Sequence, residues 1–508
     1  MKENETTDVD IDERLRESLP WIMRNGIGIQ VMETLAVGAI LTAFAVKLGA
    51  SNFLIGLLAA IPHLSQLAQV PAMLTVDRVA SRRKVYVWSG FVARPMFLVI
   101  ALTVLIPSND LALAVIVVAF VLRYVAGAYL SCSWNTWMRD LVPDDMMGKV
   151  FGERQKKMLG IGILVSLASA AFIDLWAKFV PLQDTYAFGI VYTLAFFGGL
   201  YAVYASRRIV DVESPPHELR ASLYSRLREP FRQKNFRRLI IFLASWNFAV
   251  NLAAPFFTVH MLKRMELSLT VVIALATLSQ LAAYFTVSHW GNIADRFSNK
   301  AVLRVCAPLF ILCIFLWTFT TMPEVHVLTY PLLIVIHFAT GLASAGVSLS
   351  SGNITLKLAP RGNATAFLSA SSIVNAIAAG TAAMVGGLTA DFFATNELTM
   401  ILRWQSATAA AEFSALDFSH WDFFFLFATT IGIYALHRLS LVQEEGEVDE
   451  KLVLDHLKQG ARRTLRNLST VAGLRASTDF PLDTLIDDER RSRQDEDSDQ
   501  SGQDPPEK

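Results

Sequence analysis

Twelve apolar runs constrain this 508-residue chain more than any other feature, each close to the roughly 20 residues a helix needs to cross a hydrocarbon core. They lie at about 22–46, 52–74, 85–106, 110–134, 157–178 and 185–206, then at about 238–261, 268–290, 301–322, 328–350, 364–392 and 420–440. Lipid offers no partner to an unsatisfied backbone group, so each run is expected to be a helix. Hydrophobic residues make up 53% of the chain and charged residues 18%, where a soluble chain would carry about a quarter. The remaining charge is gathered in the loops and ends.

The first six runs read like the second six. Asp77-Arg78 and Asp295-Arg296 each sit in a short basic loop, and Ser65-Gln66-Leu67-Ala68 recurs as Ser279-Gln280-Leu281-Ala282. Asp174 and Asp391 each end an apolar run, and Asn135, Pro143 and Gly148 match Asn353, Pro360 and Gly362. All these offsets fall at roughly 214 to 218 residues. A near-constant offset across six apolar segments implies a duplication. The expected fold is therefore all-α and membrane-embedded, with twelve transmembrane helices in two homologous six-helix bundles. Duplicated membrane halves place a pathway at their interface.

Lys and Arg are distributed unevenly between alternate loops, which sets the expected orientation. The loop after run 2 carries Arg78, Arg82, Arg83 and Lys84, that after run 4 carries Arg139, Lys149, Arg154, Lys156 and Lys157, and the central loop carries nine basic residues from Arg207 to Arg238. The intervening loops are nearly bare. Both ends are expected in the cytoplasm, as in a multi-pass protein of the cell inner membrane. Residues 1–20 are polar and acidic, so no cleavable signal is expected. The organisation expected is a cytoplasmic segment 1–21, a first bundle 22–206, a cytoplasmic amphipathic linker 207–237, a second bundle 238–440 and a largely disordered cytoplasmic tail 441–508. Residues 393–419 read as an external polar insertion between the last two runs.

Several functions are argued against. Positive and negative residues balance, which suggests no nucleic-acid partner. Cys132, Cys306 and Cys313 lie in apolar runs without metal spacing, so neither a metal nor a cofactor is expected. His217-Glu218 begins like a zinc-protease motif, but Ala221 stands where the second His is required. No clustered catalytic set is visible, and an enzyme is not expected.

Gly291-Asn-Ile-Ala-Asp295-Arg296-Phe-Ser-Asn-Lys300 resembles the G-x-x-x-D-R-x-G-R-R/K loop of the major facilitator superfamily, as does Met73-Leu-Thr-Val-Asp77-Arg78-Val-Ala-Ser-Arg82-Arg83-Lys84 less closely. The first copy lacks both glycines and shifts its basic cluster by one residue. Leu122-Arg123-Tyr-Val-Ala-Gly127 resembles the family's R-x-x-x-G pattern, which occurs in proton-coupled members, and His337-Phe-Ala-Thr-Gly341 repeats the spacing. The resemblance covers about 22–440. It implies a transporter, usually a monomer, in which Asp77, Arg78 and Arg82, and Gly291, Asp295, Arg296 and Lys300, form latches between the halves in one access state. A bare topology signal is the plainer reading of these loops.

Ionisable residues deep in a bilayer are costly and point to function. Glu33, Arg94 and Arg123 lie about 10 or 11 residues from the cytoplasmic ends of runs 1, 3 and 4, roughly 15 Å deep at 1.5 Å per residue. A carboxylate beside a guanidinium stays ionised, and the same carboxylate separated from it takes up a proton. Glu33 and Arg123 are therefore candidates for proton coupling, or for a static pair. Arg94, followed by Pro95, lines a cavity or bonds carbonyls freed at a kink. His63, His337, Trp246, Asn247, Asn251 and Asn375 are the other cavity candidates; Asn251 repeats Glu33, and His337 repeats Arg123. Runs 1, 4, 7 and 10 line the cavity in the family. Arg139, Asp140 and Arg154, in a Trp-rich segment after run 4, are candidates for a cytoplasmic gate or for an interface belt. Asp174 and Asp391 fit the extracellular rim.

Together these residues suggest proton-coupled secondary transport of a small polar organic solute, anionic or sugar-like, across a lipid bilayer. Efflux of lipophilic cations or drugs suits Glu33 and the 33 Phe as an alternative. An integral membrane enzyme or a non-transporting sensor is more distant.

Overall fold

The computed structural model of the protein describes residues 2–79, 81–212, 223–321, 326–360, 364–393, 397–405, 410–419 and 421–444. Most of the expected tail, and Pro215-Pro216 with His217-Glu218 in the linker, lie outside them. Among the described residues, twelve helices are long and apolar enough to cross a membrane. The first six are span 1 (Arg14–Lys47), span 2 (Asn52–Val76), span 3 (Arg82–Leu105), span 4 (Asn109–Leu141), span 5 (Met146–Phe179) and span 6 (Tyr186–Ser206). The second six are span 7 (Lys234–Lys263), span 8 (Leu269–Arg296), span 9 (Asn299–Thr321), span 10 (Thr329–Leu358), span 11 (Ala366–Phe393) and span 12 (Trp421–Ser440). This is a multi-pass membrane protein.

The duplication reaches down to the helix caps. Ser51 and Ser268 accept the backbone N–H of Leu54 and Val271 at the starts of spans 2 and 8. Ser81 and Ser298 do the same for Lys84 and Ala301 at the starts of spans 3 and 9. A serine oxygen supplies an acceptor to an N–H that the helix cannot satisfy, worth about 1 kcal/mol each. The starts of spans 3 and 9 are also held alike from outside. Asp211, beyond span 6, accepts from the Ser81 hydroxyl and pairs with Arg83 at 3.5 Å. Glu444, beyond span 12, accepts the Lys300 N–H at 2.7 Å and pairs with Lys357 at 3.0 Å.

Span 2 is interrupted where the repeated tetrapeptide falls. Ser65–Ala68 forms a 3-10 turn between Pro62 and Pro71, whereas the copy Ser279–Ala282 lies in unbroken helix. Each proline removes one ladder donor, which loosens this stretch in the first copy alone. Span 3 breaks at Arg94, ahead of Pro95, as expected.

Two elements are additions to the twelve. A basic helix, Leu223–Arg232, lies in the expected linker and packs on spans 7 and 11. The expected polar insertion contains an antiparallel hairpin, β1 (Glu397–Gln405) with β2 (Ala410–Ser419), irregular between Met400 and Ile401.

The two halves meet mainly through span 2 against span 11 and span 5 against span 8. Small residues allow the first contact: a Cβ on Gly56 would lie 2.2 Å from the Ala383 carbonyl oxygen, and one on Gly387 2.6 Å from that of Asn52. At the end away from the Asp77 and Asp295 loops, hydrogen bonds cross between the halves. Asp391 accepts the N–H groups of Asn52 and Phe53, Asp174 accepts those of Leu269 and Thr270, and Lys263 donates to the Ala50 carbonyl. Toward the basic loops, Gln69–Arg78 packs instead on span 4 of its own half.

Candidate functional site

Two cavities lie between the helices and share Gln66. The first, of 680 Å³, is lined largely from the second half, by Trp246, Asn247, Ser348, Ser371 and Asn375, with His63 reaching in from span 2. The other, of 470 Å³, belongs to the first half and is lined by Glu33, Arg94, Arg123, Tyr124, Trp134 and Arg154 among others.

The first-half cavity brings together the ionisable residues expected at mid-depth. Arg123 donates to the Glu33 carboxylate, as an ion pair between spans 4 and 1. The Arg123 side chain is 6% exposed and that of Glu33 36%, so the carboxylate is the wetter partner. The guanidinium also lies 3.9 Å from the centre of the Tyr124 ring and 5.3 Å from that of Phe97. These ring faces favour a cation and hold it level with the acid. Arg94 is buried at the break in span 3 and hydrogen-bonds the Tyr86 hydroxyl. Tyr86 in turn accepts from the Asn25 amide at 3.1 Å.

In the second-half cavity, Trp246 stands edge-on to Phe310 with centroids 5.5 Å apart. Asn247 on the wall and Asn251, which lines neither cavity, each donate one turn back, to the Leu243 and Asn247 carbonyls at 2.8 Å. His63 hydrogen-bonds the Asn251 side chain across the halves. Asn375 lines the wall with its carbonyl oxygen buried and unpartnered. His337 lines neither cavity: its Nδ1 meets the Leu333 carbonyl at 2.8 Å and its ring stands edge-on to Trp317.

The remaining sequence candidates spread out. Arg154 faces the first-half cavity, 5.1 Å from the centre of the Trp134 ring, while Arg139 and Asp140 are exposed at the end of span 4. In the basic loops, Arg78, Asp295 and Arg296 are exposed, and the side chain of Asp77 lies outside the description. Arg82 is buried and donates to the Val76 carbonyl at 3.1 Å, closing the end of span 2. Gly291 has only the Leu349 side chain near an added Cβ, and Lys300 is buried beside Glu444.

Some lining residues escaped the sequence reading. Ser344, Ser348, Ser351 and Thr355 face the larger cavity from span 10, and Ser371 and Ser372 face it from span 11 beside the expected Asn375. Ser344, Ser348, Ser351 and Thr355 stand at i, i+4, i+7 and i+11, a polar stripe at helical spacing inside an apolar run. That periodicity was the available signal. Gln66, Gln69, Tyr86 and Tyr124 carried no comparable one.

The sequence matches the family model described as Major Facilitator Superfamily over residues 26–383 and 247–451. No curated protein matches it. Among solved structures, the nucleoside transporter NupG is similar at a TM-score of 0.58 and 12% identity, covering 84% of this chain and 98% of that one. A bacterial homologue of the iron transporter ferroportin, in an inward-facing state, gives 0.61 and 10%, covering 84% and 98%. A POT family transporter in complex with a thioalcohol conjugated peptide gives 0.57 and 13%, covering 85% and 96%. At these identities the likeness is one of fold.

Proposed function

This chain belongs to the Major Facilitator Superfamily of transporters, and from that premise we propose that it carries a small polar organic solute across the cell inner membrane by proton-coupled alternating access. The observation that carries the reading is the Glu33–Arg123 ion pair on the wall of an internal cavity. In this conformation Arg123 meets the Glu33 carboxylate directly. A rocking motion that parts them and closes the cavity to water would remove both the cation and the solvent that favour the charged carboxylate, which promotes proton uptake. The polar stripes of spans 10 and 11 line the second-half cavity, which shares Gln66 with this one, and supply uncharged hydrogen-bond partners for a solute.

The Lys and Arg bias assigns the basic-loop end, and both chain termini, to the cytoplasm. The bonds made by Asp174 and Asp391 then close the outer face, and the cavities face inward. The Asp77 and Asp295 loops latch the halves in the opposite state, which agrees with Arg78, Asp295 and Arg296 being exposed in this one. Arg154, over Trp134, guards the inner entrance with Arg139 and Asp140 at its rim. The protein works as a monomer in this reading.

Proteoliposomes test it. Solute uptake should rise when the outside is made more acidic than the lumen, and Glu33→Gln should abolish that response while solute exchange at equal pH persists. Uptake indifferent to the pH difference in the unmodified protein would remove the coupling. Accumulation of lipophilic drugs alone would replace the solute class.

A further inference from the structure

We infer that the transported solute is an organic dianion, a dicarboxylate or a phosphate monoester, whose two charges are taken by Arg94 and Arg154. This deepens the solute-carrier reading above and rests on it. Three guanidinium groups and one carboxylate line the 470 Å³ cavity. Arg123 is accounted for by Glu33. Among the described residues no carboxylate lies within 4 Å of Arg94 or Arg154, and the Nε of each is buried without a hydrogen-bond partner. Two cationic side chains therefore face a space whose one lining carboxylate, Glu33, is already in contact with Arg123 and makes no ion pair with either of them.

Burial makes that imbalance informative. A guanidinium removed from water is tolerated where a counter-charge meets it, and an unpaired donor in such a site is costly. Arg94 is 5% exposed, and the kink at Pro95 gives it no described bond to a freed carbonyl, so bracing the break does not explain it. Tyr86 is the electrostatic neighbour common to Arg94 and Arg154, which places both around one hydroxyl on the cavity wall. Glycines on the neighbouring spans leave room for both stems. A Cβ on Gly199 would lie 2.9 Å from Cδ of Arg94, and one on Gly26 would lie 2.8 Å from Nε of Arg154.

The rest of the lining sets the body between the charges. Tyr86, Tyr124, Trp134 and Phe151 give flat apolar faces, and Gln66, Gln69 and Asn135 give uncharged polar partners. The volume exceeds that of an inorganic anion and suits a solute of several carbon atoms. Arginine's paired donors match both carboxylate and phosphate oxygens.

Binding to the purified full-length protein, at fixed ionic strength and pH 7.5, tests this directly. The probes are succinate and glycerol 3-phosphate as dianions, acetate as a monoanion, and sorbitol as a neutral solute. At least one dianion should bind saturably and at least tenfold tighter than acetate, and the preferred one tells carboxylate from phosphate. Arg154→Gln should weaken that dianion about thirtyfold or more, the loss expected when one side of a desolvated charge pair is removed. Arg154→Lys should recover part of it. Arg154 is only partly buried, so these variants keep the test usable should Arg94→Gln fail to fold. Tighter binding of sorbitol or acetate than of either dianion, or dianion binding unchanged in Arg154→Gln, would overturn the inference and leave the solute-carrier reading standing. Absence of binding by any probe would overturn it too, and proton-dependent uptake of some other solute would show that the broader reading survives.

Discussion

Asp174 and Asp391 are counterparts in the duplication, and each accepts two backbone N–H bonds from a helix start in the opposite half. Asp391, on span 11, meets Asn52 and Phe53 at 3.0 and 2.8 Å; Asp174, on span 5, meets Leu269 and Thr270 at 3.2 and 2.8 Å. The positive end of a helix dipole favours a carboxylate there by about 0.3–1 kcal/mol, and up to about 2 kcal/mol where partly buried. The pair is a two-point clasp on one end of the molecule.

Replacing one acid by Asn keeps the shape and removes the charge. Asp391→Asn should shift the equilibrium toward opening at that end by about three- to tenfold, and Asp174→Asn by a similar factor. Together they should multiply. Maleimide labelling of Ala383→Cys, buried between spans 2 and 11, reads the opening. An unchanged labelling rate in the double variant would mean that apolar packing alone closes this face.

A double-mutant cycle on Glu33 and Arg123 should show strong coupling. Glu33→Gln leaves a buried guanidinium without its acid, and Arg123→Gln leaves a carboxylate without its cation. Loss of one partner of a buried pair costs about 3–5 kcal/mol, reduced here because the Glu33 side chain is 36% exposed. Arg123→Gln should therefore be the milder change, since water can solvate the stranded carboxylate. The double variant should be more stable than Glu33→Gln alone. Additive losses in thermal unfolding would show that the two do not depend on each other.

Much of this was legible in the sequence, and the misses have physical reasons. Twenty apolar residues can only span as helix, so the spans stood out, and counting 1.5 Å per residue placed Glu33 and Arg123 at one depth. Helix ends were harder, because hydropathy stops where the apolar run stops while the helix continues. The helix containing span 5 begins at Asp144, well before the apolar run near 157. Arg154 therefore lies on a helix wall over Trp134, although its sequence reads like a loop gate. Asp174 and Asp391 were visible as span ends, but which helix each would cap depends on how the halves cross. The hairpin at 397–419 lay in a segment too mixed in polarity to show a period.

Glu444 gives a pH dependence outside the membrane spans. Burial alone would raise its carboxyl, but bonds from the Lys300 N–H and the Asn299 amide, with Lys357, outweigh that and hold it below its ordinary value. A carboxyl depressed in the folded state stabilises fully above its unfolded pKa of about 4.3. That contribution is lost as the pH falls through the lower folded value. Glu444→Gln should thus lower thermal stability at pH 7, by about 1–3 kcal/mol for charged hydrogen bonds of this kind, and the difference should shrink below about pH 4. A deficit that stays constant from pH 7 to 3 would assign the effect to packing.

Gly127 and Gly341 stand four residues after Arg123 and His337, in matching positions of the two halves, yet they meet different surroundings. A Cβ on Gly341 would lie 2.1 Å from the Ser279 carbonyl oxygen, whereas one on Gly127 would meet nothing within 4 Å. Backbone cannot step aside as a side chain can, so Gly341→Ala should force spans 8 and 10 apart. The bond from the Ser279 hydroxyl to the His337 carbonyl, 2.7 Å long, should strain with it. Overpacking of this kind costs about 1–3 kcal/mol. Gly127→Ala should leave unfolding unchanged or slightly improved, because alanine suits a helix better by up to about 1 kcal/mol. Since Gly127 lines the first-half cavity, its methyl group should instead reduce solute exchange. A fall in exchange with normal stability for Gly127→Ala, beside a fall in stability for Gly341→Ala, would show that one half keeps its glycine for packing and the other for space. Equal destabilisation by the two would mean that span 4 is packed as tightly as span 10 and that its glycine serves the fold.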